Sequence, residues 1–191
     1  MEPATELARE EAAYVAPPPR SRGVVLDANL GVMGFTGRFR EMAPLAPWLH
    51  AQIGYEVLSW LMILGEGELA FTDTSGTQPP PKTRAFPIFG FGGGARASIP
   101  IGASFDVYAQ PTIGAMKADI AKNALAILGF RDAEVLNLYF AGRIGAEWFQ
   151  TSRHLALGAA FGLRDATGFA RLGAGETPLV WDASGSIRYA F

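Results

Sequence analysis

Cysteine is absent from the 191 residues, which excludes disulfides, thiolate metal centres and cysteine nucleophiles. Charge is scarce: charged residues make up 18% of the chain, the formal net charge is −2, and no basic block offers a footprint for nucleic acid. Long apolar runs are also missing. A membrane-spanning helix needs roughly 18 consecutive apolar residues, and the nearest candidate, Leu58 to Leu64, is broken by Ser59. The opening Met1-Glu2-Pro3 carries no basic region followed by an apolar core, so the expectation for an exported chain is a signal peptide already removed.

Glycine and aromatic residues are plentiful instead. Twenty-three glycines, 12% aromatics and 49% apolar residues exclude disorder over most of the length and point to an all-β chain rich in turns. The length suits one compact domain.

Side chains alternate with the period of a strand in eight segments. In the first, Val24, Leu26, Ala28, Leu30 and Val32 oppose Val25, Asp27, Asn29 and Gly31; the second runs near 48–57 and the third near 60–71. The third begins with Trp60-Leu61-Met62-Ile63-Leu64, apolar on both parities, which leaves its phase open. Further segments lie near 86–98, 102–115, 135–148, 154–164 and 181–191. Connections alternate between long (near 35–47, 72–85, 116–134, 165–177) and short (near 58–60, 99–101, 149–153). This rhythm predicts an all-β fold, a closed eight-stranded antiparallel up-and-down barrel without free edges, short turns at one end and long loops at the other.

Which parity faces inward separates a soluble ligand-binding barrel from a membrane barrel. The apolar parity is uniform in strand after strand, and lysine is missing from all eight segments, so the apolar side chains are expected to face lipid across a transmembrane barrel. The other parity then lines the lumen with Asp27, Glu56, Glu66, Glu68, Arg96, Asp106, Arg143, Glu147, Arg164, Asp182 and Arg188, together with Asn29, Gln52, Gln110 and Asn137. Mixed charges at one depth predict a salt-bridged plug, because an isolated ion in a dry lumen is costly.

The strand pattern and the ending resemble the OmpA-type family of small Gram-negative outer-membrane barrels. Ile187, Tyr189 and the terminal Phe191 share the lipid-facing parity. In that family a terminal aromatic preceded by alternating apolar residues is the signal read by the barrel-insertion machinery. The resemblance covers 23–191 as architecture and is specific at the C-terminus. It implies outer-membrane lipid as the surroundings, the insertion machinery as a partner of the last strand, and the bacterial outer membrane as the location. Some members continue into a peptidoglycan-binding domain; none is expected after Phe191.

Other features have plain readings. Glycines 90, 92 and 94 lie inside a strand with no following Lys-Ser or Lys-Thr, so they suggest room for Tyr108 and not a phosphate loop. His50 and His154 are expected at opposite rims, without the serine and acid of a triad, so no catalytic, metal or cofactor site is assigned. Aromatic girdles are expected from Tyr55, Trp60, Trp148, Phe149, Tyr189 and Phe191 at the short-turn end and from Phe35, Trp48, Phe71, Phe86 and Trp181 at the other. Residues 1–21 read as a periplasmic tail, a short helix from Glu6 to Tyr14 followed by Pro17-Pro18-Pro19, with 22–191 as the barrel.

The loop from Lys117 to Glu134 predicts a helix capped by Asp119, with Ile120, Ala124, Ile127 and Leu128 on one face and Gly129 as its stop. That face is either a lid on the mouth or a docking surface; a protein partner at the outer loops or the N-terminal tail is the functional expectation. Pro79-Pro80-Pro81 adds a stiff element to the preceding long loop. The activity expected is that of a non-enzymatic structural anchor or interaction component, within an envelope machine such as a motility or secretion apparatus. The alternative is a lipid-modifying enzyme, or a narrow transporter or ligand-binding barrel.

Overall fold

The computed structural model describes residues 22–43, 45–73, 85–150 and 154–191. The expected N-terminal tail and the Pro79-Pro80-Pro81 element lie outside the described residues.

Eight strands, β1 (Val24–Phe35), β2 (Leu45–Leu58), β3 (Leu61–Asp73), β4 (Ala85–Ile101), β5 (Phe105–Ala118), β6 (Asn137–Phe149), β7 (Leu155–Asp165) and β8 (Leu179–Ala190), pair in chain order and close on themselves. All pairs are antiparallel, and closure runs from Val25 opposite Ala190 to Phe35 opposite Val180. Every strand therefore has two neighbours for its backbone N–H and C=O groups, the condition for crossing a membrane with strands.

The strand period places an apolar belt outside. Leu30, Ile99 and Leu138 are each 67% exposed, whereas Asp27, Arg96 and Glu147 on the opposite parity are at most 3% exposed. A soluble barrel would reverse this. The fold is the transmembrane type, apolar side chains turned outward around a filled lumen.

Most strands extend beyond their alternating segments at the long-loop end. There the inward residues become apolar as well: Met33 and Phe35 on β1, Phe86 and Ile88 on β4, Met116 and Ala118 on β5, and Val180 on β8 are all buried. Alternation disappears from the sequence where the lumen itself turns hydrophobic. The same change settles the phase of β3, whose inward Met62 and Leu64 form a small apolar cluster with Val25 at the short-turn end. Lys117, expected in a loop, belongs to the outer end of β5, with its ammonium 5.0 Å from the centre of the Phe89 ring.

Candidate functional site: the lumen and its loop cap

The lumen holds two layers of different chemistry. Toward the short turns, Arg96 projects inward from β4 and satisfies four side chains. Its Nε donates to Gln110 Oε1 at 2.8 Å, and Nη2 donates to Asp27 Oδ2 at 3.0 Å and Gln52 Oε1 at 2.6 Å, while Nη1 pairs with Glu147. The guanidinium sits over the Tyr108 ring, 4.1 Å from ring centre to Cζ. Arg188 bridges the other oxygen of Glu147 at 2.6 Å to Glu56 on β2. Partners come from β1, β2, β4, β5, β6 and β8, so this layer ties the barrel across its diameter.

A second group of charges sits nearer the loops. Arg164 pairs with Glu68 and donates to Asp182 Oδ2 at 2.9 Å; Arg143 Nη2 lies 3.3 Å from Asp182 Oδ1. Glu66 accepts from Tyr139 Oη at 3.1 Å, Gln52 Nε2 at 3.1 Å and Gln110 Nε2 at 3.2 Å, and its Oε2 lies 3.2 Å from His50 Nε2. Glu66 and Gln52 join the two charge groups into one network. The structure thus gathers ten of the eleven expected lumen residues through these contacts. Asp106, the eleventh, is also buried in the lumen, paired in register with Glu147.

His50 belongs to this network and not to a rim. Strand alternation puts it on the lumen parity, 3% exposed, stacked on Trp48 at 4.9 Å with an interplanar angle of 11°. Its parity, shared with Gln52 and Glu56, was the signal available in the sequence. His154 is at the short-turn end, where Nδ1 donates to the Ala190 carbonyl at 2.8 Å and the ring stacks on Tyr189. Beside it, Ile187, Tyr189 and Phe191 point outward, 57%, 45% and 65% exposed.

Above the charges, the long loops close the mouth with an apolar core. The first loop contributes Phe39 and Met42 from the short helix α1 (Phe39–Met42), the third contributes Leu125, Phe130 and Ala133, and the fourth contributes Phe169. Phe39 meets Phe35, Phe130 and Phe169 at 4.6, 5.1 and 4.9 Å between ring centres. Trp48 lies at the base of this core, fully buried, and donates its indole N–H to Glu68 Oε2 at 2.9 Å. Two carboxylates fix the loop backbones. Glu134 accepts from the N–H groups of Asn123, Leu125 and Ala126, and Glu176 accepts from those of Arg38 and Arg171, linking the first loop to the fourth.

These contacts correct several expectations. The loop helix α2 is one turn, Ala124–Ile127, preceded by Asn123 at φ +65° and capped by Glu134 from a distance, not by Asp119. Lys117 engages Asp119 instead, at 3.5 Å. Ile120, Ala124, Ile127 and Leu128 do not share a face. Ile120 and Leu128 pack against the cap core, Leu125 is the residue buried, and Ile127 projects at 85% exposure. A single turn with a left-handed entry rotates the side chains away from the spacing of a longer helix.

Phe35, Trp48, Phe86 and Phe149 are inside the barrel and not in lipid girdles, as their strand parity requires; Tyr55, Trp60, Phe71, Trp148, Tyr189 and Phe191 remain outside, between 45% and 65% exposed. Room for Tyr108 comes from Gly145, where an added Cβ would lie 2.5 Å from the ring, and not from the glycine run of β4. Gly92 instead makes way for Tyr139, whose Oη would lie 3.0 Å from an added Cβ.

Among solved structures, the chain is similar to Neisserial surface protein A, at 10% identity and a TM-score of 0.63, over 90% of this chain and 100% of that one. It also matches the outer-membrane protein Ail of Yersinia pestis, at 11% identity and a TM-score of 0.48, over 87% of this chain and 99% of that one. The outer-membrane enzyme PagL matches at 12% identity and a TM-score of 0.42, over 87% and 99%. No family model and no curated protein matches the sequence. At 10% identity, the likeness to the Neisserial protein shows the fold alone, a small closed eight-stranded antiparallel β-barrel.

Proposed function

We propose that this protein is a non-enzymatic barrel of the bacterial outer membrane that anchors its capped loops as an interaction component of the cell envelope. The observation that carries this reading is the filled lumen. A network of paired charges and a loop core above it occupy the space in which a transported solute or bound ligand would sit. The surfaces presented are then the lipid-facing belt and the cap. On the cap, Ile127 at 85% exposure and Leu172 at 59% are large apolar side chains on adjoining loops, joined where Leu172 N donates to the Gly129 carbonyl at 2.9 Å. Exposed apolar side chains on a protein surface mark contact sites when they cluster. Ile187, Tyr189 and Phe191 are proposed as the assembly signal of the last strand.

The test places a photo-crosslinking residue at Ile127 in living cells, with Leu125, buried in the same turn, as the internal control. A discrete protein adduct from position 127, absent from 125, supports the interaction role. Adducts to lipid alone, or hydrolysed lipid products that depend on the purified protein, would replace it with a lipid-directed one.

A further inference from the structure

We propose that the loop cap is a docking surface for an acidic segment of another polypeptide, held by the guanidiniums of Arg38, Arg131 and Arg171 around the apolar side chains of Ile127 and Leu172. This rests on the interaction role proposed above and names the chemistry of the partner. All of these residues are exposed, and they come from the first, third and fourth loops. Backbone contacts bring them together. Leu172 N donates to the Gly129 carbonyl at 2.9 Å, and the Arg171 stem lies against Gly129, where an added Cβ would be 3.1 Å from Cγ. Ile127 and Arg131 stand on either side of that glycine in the chain. Arg38 joins them through Glu176, whose carboxylate accepts from the backbone N–H of Arg38 at 3.1 Å and of Arg171 at 3.0 Å.

The acids of the cap are taken up by its own backbone. Glu134 is occupied by the N–H groups of Asn123, Leu125 and Ala126, and Glu176 by those of Arg38 and Arg171. Asp119 is engaged by Lys117. Among the described residues of these three loops, Glu41 and Asp132 are then the exposed acids left to face Arg38, Arg40, Lys122, Arg131 and Arg171. No ion pair among the described residues takes the guanidinium of Arg38, Arg131 or Arg171. A guanidinium is a planar fork of donors that matches a carboxylate through two parallel hydrogen bonds. Three such forks, on a surface whose own glutamates are committed to backbone N–H groups, favour an anionic partner.

The apolar side chains decide what carries the anions. Ile127 is 85% and Leu172 59% exposed, and the core beneath them, which holds Leu125, Phe130 and Phe169, is closed without either. An anionic glycan or a phosphorylated headgroup would satisfy the arginines and leave both side chains in water. A polypeptide that carries Asp or Glu beside apolar residues meets both needs: it buries Ile127 and Leu172 in the middle of the contact, and its carboxylates reach the arginines around them. An apolar centre with a charged rim is the usual layout of a protein interface, and the complementary charge of the rim selects the partner.

The test places an apolar photo-crosslinking residue at position 127 in living cells, in the otherwise unchanged chain and in one that also carries Arg131→Gln and Arg171→Gln, and sequences the adducts by mass spectrometry. The crosslinked peptide of the partner is expected to be rich in Asp and Glu. The double substitution is expected to lower adduct yield at least about tenfold, the loss of one or more charge-assisted hydrogen bonds. Heat-modifiable migration in SDS reports whether each variant is folded; should the pair fail there, Arg38→Gln on the first loop makes the same comparison. A protein adduct whose peptide is basic or uncharged, or whose yield is equal with and without the arginines, overturns the acidic partner and leaves the interaction role standing. Adducts to lipid or glycan alone, or no adduct from the unchanged chain, remove the interaction role and the acidic partner together.

Discussion

The short-turn half of the lumen and its long-loop half are closed by opposite means. Around Arg96, rigid strands from across the barrel supply Asp27, Glu147, Gln52 and Gln110, and each partner is fixed by backbone pairing. Around Phe39, loops supply Phe130, Leu125 and Phe169, held by packing and by the carboxylates of Glu134 and Glu176. Charges demand exact geometry when water is excluded, and strands provide it; apolar contacts are non-directional, so a core made by loops tolerates displacement. The half made by strands should therefore set global stability, and the half made by loops should open locally.

The largest expected effect comes from Arg96→Met, which strands Asp27 and Glu147 without this cation. Breaking a buried charge network costs about 3–5 kcal/mol, read as a lower urea midpoint for unfolding from lipid vesicles. A loss equal to that of an exposed substitution would mean the charge layer does not govern stability. Phe39→Ala should cost about 3 kcal/mol of packing, but in the cap: loop protection from hydrogen exchange falls while heat-modifiable migration in SDS persists. Because the Arg96 layer still fills the lumen, planar-bilayer recordings of Phe39→Ala should show no steady large conductance. Current through this variant would show that the cap, and not the charges, seals the barrel.

Smaller effects sharpen the boundary between the halves. Trp48→Phe keeps most of the apolar contact but leaves Glu68 without the indole donor, a loss of about 1–2 kcal/mol, shared between the urea midpoint and loop protection. Ile127→Ser removes nothing buried and should change stability by no more than about 0.5 kcal/mol. A larger shift would mean that Ile127 packs on the barrel and is not a presented side chain.

The amino-acid order by itself determined the eight strands, their antiparallel succession, the outward apolar belt and the inward placement of the charged set from Asp27 to Arg188. Period-two alternation carries all of these, since one residue of slip would exchange lipid-facing and lumen-facing side chains. It also carried the positions of His50, Trp48, Phe86 and Phe149; following parity, and not proximity to a strand end, was enough to place them inside. The tertiary structure alone decided which charges meet, because register around a closed barrel brings Arg96 to Glu147, and Arg164 to Glu68, across strands far apart in sequence. It decided the cap as well. Leu125, Phe130 and Phe169 follow no strand period, and the single turn at α2 is set by Glu134 reaching back to its backbone, a contact no local pattern encodes. Local periodicity specifies direction relative to a strand; partners across a lumen exist only once the sheet has closed.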